Sequence, residues 1–466
     1  MPAVTIRQGK VTPFQDTNTG TASDTWVVNL ENDTLAGNAL ILVAQANSGV
    51  TFNSVVDNKS NANWAQVITD TSGQSIHGWM CTNVAAGTNQ LTITFNQVDG
   101  FCQFAVMEVA GLSTAAVASA IDGVAKSATG ITTTSIATAA LGNASGSFVV
   151  QLGFDTGQTG GMAFTAGTGF TLFGAELVAG FCVQTRVASG NTTPSFTRAA
   201  GTATYNTIGF AVLADSSKGD ATQNTSGNCF VRFTQSSFAN VGKGPAFSLQ
   251  FPSAGDALVC AVWQGDNAKS VSSISDSLNG SWPAAKSTSN VANGQVEVWS
   301  PGHCSTGSTM TVTVTYSAAI SVAATGIIGL IDILGSASSA IGAVGTNKSG
   351  TQSSSGNLTT NSITPTGTGS AIINAVIINS HCLTTLTGGA KYTTTSCYSP
   401  DFDGSDQGYY DCDGISIYMN GTDQSAQSFI WATQNNTAGV GTWGAVALEI
   451  LAQPGTAQNQ IWLLKA

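Results

Sequence analysis

The sequence predicts an all-β protein: two tandem jelly-roll-like antiparallel β-sandwich domains with short terminal arms. Three observations carry that expectation. Apolar and polar residues alternate with a period of two, as in Gln90-Leu-Thr-Ile-Thr-Phe and Thr311-Val-Thr-Val-Thr-Tyr. Such alternation puts β-branched or aromatic side chains on one face of a strand and Thr on the other. Only 8% of the 466 residues are charged while 53 are Gly, which suits short strands joined by small polar turns. Finally, no window of about a dozen residues gives an apolar helical stripe with caps.

The elements follow in order. Residues 1–24 read as an N-terminal arm; behind its basic residues stands no apolar segment of the secretory kind, so no export signal is expected. Gly37-Asn-Ala-Leu-Ile-Leu-Val-Ala-Gln then matches Gly255-Asp-Ala-Leu-Val-Cys-Ala-Val-Trp, 218 positions later. Ser54–Trp64 matches Ser273–Trp282, His77–Phe95 matches Glu297–Tyr316, and Glu108 before Gly111 matches Asp332 before Gly335. Four ordered matches at a nearly constant offset predict an internal repeat. The expected organisation is residues 1–215 as the first domain with its arm, 216–227 as a small polar linker, 228–452 as the second domain, and 453–466 as a C-terminal docking tail. Phe148-Val-Val-Gln-Leu-Gly-Phe and Ala371-Ile-Ile-Asn-Ala-Val-Ile-Ile are nearly continuous apolar runs and read as inner strands. Asn279-Gly280, Asn293-Gly294 and Asn420-Gly421 supply hairpin turns. Each copy is about twice an immunoglobulin domain, so one larger sandwich per copy is expected.

Composition excludes several function classes. A net charge of −11 with only 14 Lys and Arg offers no basic stripe for nucleic acid. No apolar run approaches the ~18 residues of a membrane span; the best, Ile327–Leu334, carries Asp332. Of the three His, none sits in a hydrolase or metalloprotease motif, and no enzymatic activity is expected. The dyads His303-Cys304 and His381-Cys382 invite a nucleophile-plus-base reading, but neighbouring strand residues point to opposite faces. Gly439-Val-Gly-Thr-Trp-Gly444 matches a dinucleotide fingerprint in letters only, because the following AVALEIL reads as a strand rather than a helix.

The nine Cys contain no pair at zinc-ribbon spacing; Cys102, Cys182 and Cys260 read as small buried hydrophobes, and Cys397 with Cys412 is a candidate disulfide. Asp401, Asp403, Asp406, Asp411 and Asp413 crowd one segment and are candidate Ca²⁺ ligands. The EF-hand spacing is absent, so a solvated acidic loop stands as the alternative. No other cofactor is expected. Tyr409 and Tyr410 beside that loop are the candidate glycan contacts. Trp64/Trp282 and Trp79/Trp299 recur in both copies and read as core or turn-packing residues, while Glu108 and Asp332 read as capping or turn hydrogen-bond acceptors. Ile461, Trp462, Leu463 and Leu464 form an apolar tip, read as a partner-docking segment or a strand lent to a neighbour, with a tail folded back on its own domain as the alternative.

The duplicated phrase GNALILVA, SVVDNKSNANW, WMCTNVAAGTNQLTITF and MEVAG resembles a β-sandwich module of tailed-bacteriophage structural proteins and of some bacterial surface proteins. The second copy departs from it, with Asp256 for Asn38 and Ser305-Thr306-Gly307 for Ala85-Ala86-Gly87. The resemblance implies a virion component without catalytic activity, either a capsid decoration (cement) protein or a tail or fibre protein. It implies assembly in the host cytoplasm, homo-oligomerisation, and other virion proteins as partners. A carbohydrate-binding module or adhesin is the alternative.

Overall fold

A computed structural model describes residues 4–12, 23–99, 102–132, 134–155, 164–176, 180–198, 203–215, 229–239, 246–251, 257–264, 269–291, 294–304, 310–318, 326–352, 356–379, 381–387, 392–398, 411–419, 421–435 and 441–454. Nearly every described segment is a strand, as the alternation predicts; the one helix among them, α1 (Val117–Ala120), is a single turn.

The strands fall into four consecutive groups. The first holds β1 (Thr5–Thr12), β2 (Ser23–Asn29), β3 (Ala39–Ala46), β4 (Phe52–Asp57), β5 (Trp64–Asp70), β6 (Ser75–Cys81), β7 (Gln90–Asp99) and β8 (Cys102–Ala110). The second holds β9 (Lys126–Thr132), β10 (Ser135–Ala137), β11 (Ser145–Asp155), β12 (Phe164–Thr165), β13 (Thr171–Glu176), β14 (Phe181–Ser189), β15 (Ser195–Arg198) and β16 (Ala203–Val212). The third holds β17 (Phe230–Ala239), β18 (Ala246–Phe251), β19 (Ala257–Gln264), β20 (Val271–Asp276), the two-residue β21 (Gly280–Ser281), β22 (Ser287–Val291), β23 (Gly294–His303), β24 (Met310–Tyr316) and β25 (Gly326–Leu334). The fourth holds β26 (Ser336–Val344) and β27 (Lys348–Gln352), which share one position, then β28 (Gly356–Ile363), β29 (Ala371–Asn379), β30 (His381–Thr387), β31 (Tyr392–Tyr398), β32 (Asp411–Met419), β33 (Gln427–Asn435) and β34 (Gly441–Ala452).

One wiring serves all four. Leaving β21 aside, the fifth, sixth, third, eighth and first strands lie side by side, and the second, seventh and fourth form the other sheet. In the first group this reads β5-β6-β3-β8-β1 against β2-β7-β4; in the fourth, β31-β32-β29-β34-β26 against β28-β33-β30. This is jelly-roll wiring with the fifth strand moved onto the sheet of the sixth. Each 215-residue segment therefore contains two small sandwiches where the sequence suggested one larger one. Local alternation shows which residues are buried but not how many strands close a sandwich.

Three of the sandwiches are fused through shared sheets, while the fourth keeps its own six- and three-stranded sheets. One ten-stranded sheet runs β22-β23-β19-β25-β17-β1-β8-β3-β6-β5, the same order outward in both directions from its centre. There β1 and β17 pair in parallel, Gly9 with Phe233, Lys10 with Thr234 and Val11 with Gln235. A nine-stranded sheet joins the second and third groups through the Ala175–Gln250 bridge between β13 and β18. Residues 5–12, expected within a terminal arm, thus form an interior strand held by β8 and β17. Their two cations hid this, because each finds a partner distant in sequence.

The cores explain the apolar runs. Trp26, Leu40, Leu42, Ile93 and Phe104 fill the first sandwich. The opposite face of its large sheet, through Ile41, Val43 and Met107, packs on Val150, Leu152 and Ile208 of the second group. Likewise Val259, Val298 and Ile331 of the third group pack on Ile373, Ile377 and Leu448 of the fourth. Strands β3, β11 and β29 are buried on both faces, which is why they read as unbroken hydrophobic runs.

Candidate functional site

The residues that hold the two halves together cluster around β1 and β17. Lys10 on β1 and Glu31 are almost wholly buried, with Nζ 3.6 Å from Oε1. Lys10 also donates to the Asn29 carbonyl at 3.2 Å, and Thr234 Oγ1 of β17 donates to Glu31 at 3.4 Å. Asn32 Nδ2 donates across the join to the Val231 carbonyl at 2.5 Å. Gln235 Nε2 donates to the Ala175 carbonyl at 2.6 Å, tying β17 to β13. Phe173 meets Phe233 edge-on with ring centres 5.2 Å apart. Gly9 is required beneath them, because an added Cβ would stand within 2.8 Å of the Phe173 ring.

A buried acid on the eighth strand recurs. Glu108 accepts from Arg7 Nη1 (2.8 Å), Gln8 Nε2 (2.7 Å), the Leu35 amide (2.9 Å) and Asn38 Nδ2 (2.6 Å). Arg7 stands at a bulge of β1 opposite Glu108, and its guanidinium lies 4.7 Å above the Phe230 ring. In the third group Arg232 occupies the same bulge opposite Asp332, with Nη1 3.2 Å from Oδ2. In the fourth, Glu449 accepts from the amides of Ala343 (2.8 Å), Thr366 (2.9 Å) and Gly367 (3.1 Å). Burial works to raise the Glu449 pKa, yet those donors hold it below the ordinary value. The second group carries Ala211 and Val212 at the end of its eighth strand, and there Asp122 accepts from the Ala144 amide at 2.6 Å. Each acid links its own sandwich: in the first and fourth groups it fixes the segment that leads into the third strand.

One of the two repeated tryptophan pairs, Trp64 and Trp282, has a single task. Trp64 Nε1 donates to Asp57 at 2.6 Å and Trp282 Nε1 donates to Asp276 at 2.6 Å, fastening the turn after the fourth strand. The turn-packing and turn-acceptor readings of these tryptophans and of Glu108 agree with this geometry.

Among the described residues, three clefts lie between groups. One of about 330 Å³ has Ile6, Phe148, Phe173 and Phe233 with Arg186 and Arg232 in its lining. A second, of about 500 Å³, includes Arg7, Leu35, Phe230 and Gly421. The third, of about 830 Å³, is rich in hydroxyls and includes His303, Ser336, Ser338, Thr366 and Leu451.

Titratable groups are placed for stability. Cys81, Cys102, Cys182, Cys229, Cys260 and Cys304 are buried free thiols. Burial, aided by nearby Asp57, pushes the Cys81 thiol up to about 12, and burial likewise raises Cys102, Cys182 and Cys260. At neutral pH these groups stay protonated and poorly nucleophilic. His77 is buried, stacks on Phe52 at 4.3 Å, and is held neutral, its pKa lowered by burial to about 4. His303 is exposed while its neighbour Cys304 is buried, so that dyad is split across the strand.

Asp401, Asp403, Asp406, Tyr409 and Tyr410 lie outside the described residues, as do Ile461, Trp462, Leu463 and Leu464, residues 216–227 and 455–466. Asp411 and Asp413 lie in β32, where their backbones pair with Asn379 and Ile377. The backbone of Cys397 pairs with Gly414, two residues beyond Cys412. Among the described residues no group of three or more His, Cys, Asp or Glu is placed to hold a metal ion. AVALEIL lies within β34, and Gly441–Gly444 of the fingerprint match already belong to that strand.

No protein-family model matches this chain, and no curated protein matches it. The β1–β17 junction, with Arg7, Lys10, Glu31 and Glu108, and the acids repeated on the eighth strands therefore rest on geometry alone. Sequence reading singled out Glu108 but missed Arg7 and Lys10, whose only local signal is two cations three residues apart in a short β-like run.

Proposed function

We propose that this chain is a non-enzymatic structural protein of a virus particle, of the bacteriophage capsid decoration (cement) or tail/fibre kind. The observation that carries the reading is the fusion of three of the four jelly-roll sandwiches into continuous ten- and nine-stranded sheets, with buried ion pairs on β1 at the join and the fourth sandwich packed on the third through an apolar core. Such fusion resists shear between units, since displacing one sandwich breaks main-chain hydrogen bonds as well as apolar contacts. The charge-poor, Ser/Thr/Asn-rich composition and the likeness to virion β-sandwich modules support the same role. Assembly would use sandwich faces together with the apolar segment Ile461–Leu464, with other virion proteins and further copies of the chain as partners.

The test is the solution mass and negative-stain image of the full-length chain at micromolar concentration, with and without residues 455–466. Regular oligomers that shrink when the segment is removed are expected. A monomer that binds a glycan saturably would overturn the reading in favour of a carbohydrate-binding module.

A further inference from the structure

Most sheet edges in this molecule are blunted. Strand β5 is broken by a bulge between Gln66 and Ile68, β4 by one between Phe52 and Ser54, and β31 by one between Thr394 and Ser396. Strands β10 and β12 have three and two residues. On β22 the Thr288 carbonyl is taken by Asn347 Nδ2 at 2.6 Å, and β27 begins with the charged Lys348. These are the ordinary means by which sheets avoid pairing with strangers.

Strand β9 has only the last of them, a Lys at its start. It closes the nine-stranded sheet and pairs with β16 over seven consecutive residues, Lys126 with Gly209 through Thr132 with Ala203, without a bulge. Its sequence, Lys-Ser-Ala-Thr-Gly-Ile-Thr, has one charge, at its start, and no Pro. The far side of its backbone bonds no described residue. Ile131 is 75% exposed, the most exposed of the large apolar residues described, and Val124 just before the strand is 56% exposed.

We propose that the β9 edge is an assembly surface at which a second copy of this chain adds its own β9, extending the nine-stranded sheet across two molecules. The occupant is argued from the molecule itself. Strand β9 holds the first position of its sandwich, and the first strands of the first and third sandwiches, β1 and β17, join their sheets by pairing with each other. Arg7 and Arg232 occupy matching bulges, yet Gly9 pairs with Phe233 rather than Thr234, so the parallel join is offset by one residue. An exact two-fold axis cannot produce that offset between identical strands. Two copies therefore meet antiparallel, across an axis normal to the sheet, in a closed dimer. This inference goes beyond the particle role, since a free dimer would satisfy it.

The test is sedimentation velocity of the full chain from about 1 to 100 μM, alongside the double variant Thr129→Lys/Ile131→Lys and the control Val56→Lys. All three changes are on exposed side chains, and circular dichroism verifies folding. The wild type and Val56→Lys are expected to dimerise, and the double variant to dissociate at least tenfold more readily. Amide exchange of residues 126–132 should slow with concentration in the wild type only. A wild type that is monomeric throughout, or a double variant that dimerises as well as the wild type, would overturn the proposal. A double variant that dimerises as well as the wild type leaves the particle reading untouched, whereas a monomeric wild type would remove its self-assembly through residues 455–466 and leave docking on other virion proteins.

Discussion

Replacing Glu108 is the sharpest test of how the first sandwich is held. Glu108→Ala removes a buried carboxylate that accepts four hydrogen bonds, one of them from the Arg7 guanidinium. Breaking a buried ion pair from one side costs about 3–5 kcal/mol, and each further donor left unpaired adds about 1 kcal/mol where water cannot reach it. Some water entry into the vacated space offsets part of this, so about 4–6 kcal/mol is expected. Glu108→Gln turns an amide NH₂ toward two donors and should cost about 3 kcal/mol. Arg7→Met leaves the buried carboxylate without its counter-charge but with three donors and should cost about 3 kcal/mol. Urea unfolding followed by tryptophan fluorescence provides the measurement. At an m-value of about 2–3 kcal/mol/M, Glu108→Ala should lower the midpoint by about 2 M. A loss below about 1 kcal/mol, or an Arg7→Met cost equal to that of Glu108→Ala, would refute the reasoning.

Three further outcomes follow from the same structure. His77 has a folded pKa of about 4 against 6.5 when unfolded, so the unfolded chain binds the extra proton. Its contribution is complete above pH 6.5 and falls by about 3 kcal/mol as pH drops to 4; a His77→Gln variant should lack that slope in pH-dependent urea titrations, and an unchanged slope would contradict the assignment. Gly9→Val places a branched side chain against Phe173 and Val106 and should destabilise the β1–β17 join by about 3 kcal/mol or more, read as faster amide exchange in both strands; unchanged exchange would rule out the tight contact. Rapid alkylation of the native protein should spare Cys81, Cys102, Cys182, Cys229, Cys260 and Cys304, and peptide mass spectrometry that finds them modified would show that those sites open.

Much of the fold was legible because its signals are local. The alternation of Gln90–Phe95 and Thr311–Tyr316 became β7 and β24, and the runs at 148–154 and 371–378 became strands buried on both faces. Asn279-Gly280 supplied a turn in which Gly280 has φ +76°. What sequence could not reveal depends on distant partners. Thr5–Thr12 reads as a polar arm because Arg7 and Lys10 are charged, and nothing nearby shows that Glu108 and Glu31 neutralise them in the interior. The split of each 215-residue segment into two sandwiches depends on which strands pair, and near-identical alternating strands do not encode that individually. Glu449 went unnoticed because most of its donors, at Ala343, Thr366 and Gly367, are backbone amides that any residue offers.

Density-gradient fractionation of lysate from the producing host, with peptide mass spectrometry of each fraction, tests the structural role most directly. The chain should band with intact virus particles at a fixed copy number relative to the major capsid protein and resist removal by salt. Recovery wholly in the soluble fraction, with particles free of it, would contradict the account.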